Sequence, residues 1–330
     1  MSEPVIAFIG GGNMAEAILG GLYRSHPHSH LRFSEPVQER REYMAGKYPD
    51  VMNTTDNDEV VQGADIVVLA VKPQVLHQVV KGVAGRLNET KPLIISIVAG
   101  IETQSIVSWL DSTEIPVVRT MPNTPALIGE GAVGLFATSL VTQTQRELTE
   151  RLMRSISKQL SWVEDEGLID TITGISGSGP AYFFLFMEAM ENAGMAAGLS
   201  QKDAKALTMQ TCLGAARMAQ TSEDDLATLR QKVTSPNGTT EAAIKSMESN
   251  QIRQVIHDAV FAATNRSKEL AHELCRITSK EGEDARLIFH DLHSTSPPSP
   301  FSARKSGSDY PLDRSSVISW MKPPSEMILI

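Results

Sequence analysis

Through the first half of the chain, short runs of apolar and β-branched residues alternate with stretches whose hydrophobic positions recur at helical spacing. The runs at 5–9, 31–34, 66–70, 93–98 and 117–119 read as continuous rather than alternating, as expected of strands covered on both faces. Between them, residues 14–24, 38–47 and 75–83 carry a helical period. That alternation predicts a parallel sheet with helices packed over it. A run at 134–137, a helix over 143–158 and a run at 160–163 extend the same sheet. After about Asp165 the β-branched clusters fade and helical period dominates, predicting helices over 181–197, 201–220, 224–233, 239–250 and 252–274. These helices are too apolar for a small free-standing bundle, which predicts burial against a second subunit.

The last stretch changes again. From about Glu281, and plainly from His293, serine and proline are dense, as in Ser294-Thr295-Ser296-Pro297-Pro298-Ser299-Pro300. Such a segment cannot bury enough surface to offset its ordering entropy, so disorder is predicted there. The chain therefore divides into 1–164, an α/β domain; 165–275, an all-helical domain; and 276–330, a tail.

Composition narrows the function. The 330 residues, 41% of them hydrophobic, suffice for one large or two ordinary cores. A formal charge of −9 argues against a nucleic-acid partner, which would call for a basic face. The two cysteines, Cys212 and Cys275, form neither a disulfide framework nor a metal-ligand spacing, which fits a reducing compartment. The amino terminus carries no basic region, and the apolar run 5–9 is too short for a signal sequence. The most apolar long stretch, 181–198, contains Glu188, Glu191 and Asn192 and reads as a buried helix rather than a membrane span. A soluble cytoplasmic protein without metal is expected.

Gly10-Gly11-Gly12-Asn13-Met14-Ala15 follows the first strand and opens a helix. This G-x-G-x-x-A fingerprint, in its strand–turn–helix context, predicts a Rossmann-like dinucleotide site. Gly10 permits the turn, Gly12 lets backbone approach a pyrophosphate, Ala15 allows close packing, and the helix start offers N–H donors. At the end of the second strand Glu35 stands where an acid would take the ribose 2′-hydroxyl of NAD, whereas Ser34 with Arg40 or Arg41 would suit a 2′-phosphate. The two signals conflict, so both NADPH and NADH remain open.

Ligands in open α/β sheets lie beyond the carboxyl ends of the strands. Three such ends carry distinctive loops: Ala70-Val71-Lys72-Pro73, Ala99-Gly100, and Met121-Pro122-Asn123-Thr124-Pro125-Ala126. Asn123 and Thr124 could hydrogen-bond a carboxamide or a carboxylate. Lys72 could be a general acid, but its Lys-Pro setting favours a structural ammonium that caps loop carbonyls or lies near the cofactor phosphates.

In the helical half, Gly174-Ile175-Ser176-Gly177-Ser178-Gly179-Pro180 reads as a turn whose Ser178 or Gly179 caps the helix that follows. Farther on, Val233-Thr234-Ser235-Pro236-Asn237-Gly238-Thr239-Thr240-Glu241 reads as a turn and helix start. Its free N–H groups and the hydroxyls of Ser235, Thr239 and Thr240 would converge as a carboxylate-binding nest. A capped helix would account for the bare pattern as well.

These motifs, in this order, resemble the pyrroline-5-carboxylate reductase family, from the amino terminus to about Ala271. The resemblance implies hydride transfer from NADPH or NADH to a cyclic imine, giving proline, by a homodimer with an interlocked helical domain, often within a larger ring. It implies that Gly10 to Ala15 bind pyrophosphate, that Ser34 lies at the adenosine ribose, and that Asn57, Ala70, Val71, Lys72, Pro73, Ala99 and Asn123 line the cofactor. It further implies that Glu223, Ser235, Asn237, Gly238, Thr239 and Thr240 hold pyrroline-5-carboxylate, with the Thr240 hydroxyl reaching the imine nitrogen as the catalytic donor. A β-hydroxyacid dehydrogenase would need a lysine motif that Lys202, Lys205 and Lys245 do not supply, and a dinucleotide-binding scaffold would need no carboxylate nest. Residues 276–330 depart from the family pattern and read as a disordered extension, or as the product of a frameshift or stop-codon readthrough.

Overall fold

The computed structural model describes residues 3–26 and 30–292. Eight strands form one sheet: β1 (Val5–Ile9), β2 (His30–Ser34), β3 (Met52–Thr54), β4 (Ile66–Leu69), β5 (Leu93–Ser96), β6 (Val117–Met121), β7 (Gly131–Ala137) and β8 (Ser157–Trp162). Their order is β3-β2-β1-β4-β5-β6-β7-β8. The order reverses between β1 and β4, and at such a point a doubly wound sheet opens a crevice for a nucleotide. Strands β1 to β6 are parallel.

Helices cover both faces. On one side α1 (Asn13–Ser25), α2 (Gln38–Lys47) and α6 (Gln143–Arg154) pack on Ile6, Phe8, Phe33 and Ile95. On the other, α3 (Asn57–Val61), α4 (Pro73–Thr90) and α5 (Thr103–Leu110) pack on Ala7, Ile9, Val67 and Ile94. Alternate residues of β1 thus enter opposite cores, the physical reason for its uninterrupted apolar run.

Two details differ from expectation. Strand β7 runs antiparallel to β6, because the connection between them, including a short turn over Thr124–Ile128, lacks the length for a parallel crossover. The helix expected over 143–158 ends at Arg154, where the Ser155 and Ser157 hydroxyls donate to the carbonyls of Leu152 and Met153 and the chain turns into β8.

From β8 the chain returns across the sheet through α7 (Leu168–Ile172) and a single π turn (Thr173–Gly177), which continue into α8 (Gly179–Ala196). Over Thr173–Gly177 the segment is a π turn rather than the plain turn expected, while Ser178 stands at the cap position of α8 and Pro180 in its first turn, as expected. The amide of Ser178 donates to the Thr173 carbonyl, and Ser178 makes no side-chain cap. Gly134 on β7 lets this segment lie close, since a Cβ there would approach Ile172 Cδ1 to 2.6 Å. The remaining helices are α9 (Gln201–Thr221), α10 (Leu226–Lys232), α11 (Thr239–Ser249) and α12 (Ile252–Leu292).

A buried polar cluster ties the sheet to this helical part. Arg119 on β6 is 3% exposed; its guanidinium lies 3.1 Å from Glu166 Oε1 and 3.9 Å from Asp170 Oδ1. Glu166 also accepts from the amide and hydroxyl of Thr103, and Asp170 accepts from Ser267 Oγ on α12 at 2.7 Å. Removing the cation strands two carboxylates with little access to water. Arg119→Met is expected to lower unfolding free energy by about 3–5 kcal/mol in urea titration. A loss below about 1 kcal/mol would mean that water reaches the pair and the burial argument fails.

Residues 1–275 form one compact unit. Of the second, 276–330, the described part is helical: α12 continues to Leu292. No proline occurs between Pro236 and Pro297, and nothing in 276–292 obliges the helix to stop. The serine- and proline-dense stretch from His293 lies outside the described residues.

Candidate active site

The glycine loop sits at the β1/β4 reversal. Gly10 adopts φ +104, and a Cβ there would lie 2.6 Å from the carbonyl oxygen of Ala70, so β1 and β4 meet at a spacing only glycine allows. Gly12 caps α1, is exposed, and has nothing within 4 Å of where its Cβ would be. The amides of Asn13 and Met14 begin the helix behind that open face. This cradle fits a dinucleotide pyrophosphate by its shape and by its N–H donors. Gly10→Ala is expected to raise the dissociation constant for reduced dinucleotide by at least about tenfold, through strain of roughly 1–3 kcal/mol at this backbone. Calorimetric titration decides it, and affinity equal to the parent's would mean that the β1–β4 spacing is not essential.

The back of the loop is held by side chains. Glu35, 9% exposed, accepts from the amide of Gly11 at 2.9 Å and from the amide of Val37 at 2.9 Å. Its carboxylate therefore braces the loop rather than waiting for a ribose. Arg40 donates to the Gly11 carbonyl at 2.6 Å and pairs with Glu16, as does Lys47. Burial tends to raise the Glu16 carboxyl's pKa, but the bonds from Lys47 and Arg40 outweigh it and hold the group below the usual range. Ser34 is buried and donates to Asn57 Oδ1 at 2.7 Å, which joins β2 to α3 beside the expected ribose position.

The other strand ends gather at the same edge. Ala70, Val71, Pro73 and Ala99 are half-buried, and Pro73 opens α4. The exposed Lys72 provides the backbone cap of α4, and among the described residues its ammonium makes no hydrogen bond or ion pair. The carbonyl-capping role expected for it is not seen. Asn123 is buried; its amide donates to the Ser176 carbonyl at 3.0 Å and its oxygen accepts from the Ala132 amide at 2.9 Å. It clamps the β6–β7 loop to the π turn, so its amide is largely spent on the fold.

The 235–240 turn is built as a partial nest. Asn237 takes a left-handed φ of 58, and its amide donates to Glu241 Oε2 at 2.8 Å. Glu241 is held below the usual carboxyl range by that bond, and next by Lys245. The Gly238 amide donates to the Ser235 carbonyl. The donors expected from residues 237 and 238 are thus occupied inside the turn. What stays open is the start of α11, where the Thr239 and Thr240 amides have no helical carbonyl to reach and Gly238 supplies no side-chain cap. Among the described residues the hydroxyls of Ser235, Thr239 and Thr240 make no hydrogen bond, and the exposed Glu223 makes neither hydrogen bond nor ion pair. Sequence reading named this turn but could not tell which of its amides were already used, since that depends on the Glu241 rotamer.

Neither α10 nor α11 packs extensively on any element of the sheet. The apolar surface of the helical part is instead bare in the single chain: Phe183, Phe184, Leu185 and Phe186, consecutive on α8, are 62%, 63%, 67% and 47% exposed. Four successive residues point to every side of a helix, and a helix apolar all round is a buried helix. Among the described residues no helix is long and apolar enough to cross a membrane, and no group of His, Cys, Asp or Glu could hold a metal ion.

Comparison with known proteins agrees with this construction. Residues 166–270 match a family model described as pyrroline-5-carboxylate reductase dimerisation, and residues 5–100 match one described as NADP oxidoreductase, coenzyme F420-dependent. A pyrroline-5-carboxylate reductase from Pseudomonas aeruginosa is 49% identical over 276 residues, which cover 83% of this chain and 99% of the relative. The solved structure of a pyrroline-5-carboxylate reductase from Coxiella burnetii superposes with TM-score 0.76 at 43% identity, covering 81% of this chain and 98% of that one. That of the Plasmodium falciparum pyrroline carboxylate reductase, with NADP bound, superposes with TM-score 0.72 at 29% identity, covering 82% and 99%. The chain belongs to the pyrroline-5-carboxylate reductase family.

Proposed function

We infer that this chain reduces Δ1-pyrroline-5-carboxylate to proline with NAD(P)H. Family membership gives the reaction class. The observation that carries the site assignment is the open start of α11, whose amides and unspent hydroxyls suit a carboxylate. The bound dinucleotide supplies the hydride. The protein's own residues hold the two reactants, with the cradle of Gly10, Gly11, Gly12, Asn13, Met14 and Ala15 gripping the pyrophosphate and the Thr239 and Thr240 amides, with Ser235 Oγ, gripping the substrate carboxylate. Thr240 Oγ donates to the imine nitrogen. Hydride adds to the imine carbon, the nitrogen takes a proton, and a secondary amine results. The imine carbon is electrophilic, and its nitrogen, holding the Thr240 hydrogen bond, becomes basic as hydride arrives and takes its proton from that hydroxyl, refilled from water, so the site needs no strong acid. Orientation accounts for most of the acceleration, with at most about 7–11 kcal/mol available from it.

Because α11 packs extensively on no sheet element of its own chain, this reading has the α11 cradle of one subunit close over the nicotinamide held by its partner. A homodimer, whether alone or within a ring of dimers, then also covers the bare face of α8. Glu223 would serve the substrate from the cradle rim, the role the family resemblance implies for it, and Asn123 and Asn57 act by positioning loops rather than by touching the reacting atoms. The division at 164/165 between dinucleotide and helical domains follows from the same assignment. Two cysteines, an acidic charge balance and a biosynthetic reaction favour the cytosol, with no nucleic-acid or membrane partner. The deciding assay follows dinucleotide oxidation by the purified chain with pyrroline-5-carboxylate and, separately, with a 3-hydroxy acid and oxidised dinucleotide. Imine-dependent oxidation is expected. Turnover of the hydroxy acid alone would move the chain to the hydroxyacid dehydrogenases, and turnover of neither would leave a binding scaffold.

A further inference from the structure

Between the last residue of β5, Ser96, and the first of α5, Thr103, runs a loop over 97–102 in which Ala99 and Gly100 form the turn. On the reading above, this loop lies along the cofactor, and the depth at which it sits bears on the hydride step. Its first end is held by the sheet. The Ile97 amide donates to the Leu69 carbonyl at 3.1 Å, and the Val98 amide donates to Ser96 Oγ at 3.3 Å. Its last end has no such local anchor, because Glu102, at the cap position of α5, makes no side-chain cap.

A residue 63 positions away supplies the anchor. Glu166, just ahead of α7, accepts from the Thr103 amide on Oε1 at 2.8 Å and from the Thr103 hydroxyl on Oε2 at 2.7 Å. A carboxylate at a helix start also meets the positive end of the helix dipole. Thr103 is 4% exposed, so little water competes for either bond. Glu166 is itself fixed, since Arg119 Nη1 donates to its Oε1 at 3.1 Å. Asp170, close to the same guanidinium, accepts from Ser267 Oγ on α12. Glu166, Asp170 and Ser267 belong to the helical half of the chain, whereas the loop belongs to the sheet half. A continuous polar chain thus joins α12 to the turn at Ala99.

We propose that Glu166 is a positioning residue for the reduction: it fixes Thr103, and with it the Ala99-Gly100 turn, at the depth where the nicotinamide meets the imine carbon. The proposal rests on the dinucleotide site and the reaction assigned above. Glu166 touches neither reactant and acts through the distance between them. A displacement of about an ångström slows such a transfer by up to about a hundredfold. The pyrophosphate cradle, Gly10 to Ala15, stands on another loop, so dinucleotide affinity should change little.

The test follows a single turnover of the full chain by stopped flow, with reduced dinucleotide and pyrroline-5-carboxylate, beside calorimetric titration of the dinucleotide alone. Loss of folded protein lowers the amplitude of that turnover, whereas displacement of the nicotinamide lowers its rate constant. Glu166→Ala should lower the rate constant by about ten- to a hundredfold. Thr103→Val keeps the amide bond and the Arg119–Glu166 pair, so it guards against a Glu166 variant that fails to fold. It should lower the rate constant by about two- to tenfold, the worth of one hydrogen bond. Thr103→Ser restores the hydroxyl and should recover most of the rate. A rate constant equal to the parent's in Thr103→Val overturns the proposal, as does a fall matched by an equal loss of dinucleotide affinity. Either result leaves the reductase reading intact. A folded wild type that never oxidises dinucleotide with the imine overturns that reading, and the proposal with it.

Discussion

Thr240→Ala lowers kcat by about ten- to a hundredfold, with the carboxylate grip largely preserved. The expected loss sits at or below the lower end of what one positioned donor contributes in an active site, because an imine carbon draws the hydride before its nitrogen is fully protonated. The hydroxyl is a good candidate for that donor. It stands in the first turn of α11, is half-buried, and has no protein partner to compete for it among the described residues. Alanine keeps the backbone amide, so the anion-binding helix start survives and KM should move less than kcat. Thr240→Ser restores the hydroxyl without the methyl and should recover most of the rate. Steady-state kinetics on the three proteins settle the matter, and wild-type turnover in the alanine variant would strike Thr240 from the catalytic residues.

Leu185→Asp should convert the protein to monomers and reduce activity by at least about a hundredfold. Leu185 is 67% exposed in the single chain and lies among three exposed phenylalanines in the first turns of α8. Each such side chain gains roughly 1.5–3 kcal/mol when covered, so the four together supply much of what holds two copies associated. A carboxylate placed among them must be desolvated without a partner, which costs several kcal/mol more. Sedimentation velocity reads the assembly state, and the imine assay reads the second consequence. If the variant is monomeric yet turns over normally, one chain's sheet and its own α11 suffice, and the cross-subunit reading is wrong.

The sheet was largely legible because its central strands enter two cores at once, and a strand such as β4 has no polar position to blur the run. Strand β3 escaped notice, as it has three residues, two of them exposed. The direction of β7 lay in the length of one connection rather than in its own residues. The motifs of the site could be named in advance, but not which of their donors were spent. Glu35 and Asn123 look from sequence like groups that face a ligand. Each is taken up by backbone instead, Glu35 by Gly11 and Val37, Asn123 by Ser176 and Ala132. Such choices are made by rotamers and by partners distant along the chain, which a linear pattern does not encode.

The bare Cα of Gly134 has a mechanical consequence. It is the fulcrum on which Ile172 rests, just before the chain rises into α8. With 18 residues, α8 is a lever about 27 Å long, so a tilt of about two degrees at its root swings its tip by about an ångström. Reactions governed by the approach of two atoms can slow by about a hundredfold over such a displacement. A single missing methyl group on β7, next to the edge strand β8, thereby helps set where the far end of α8 lies.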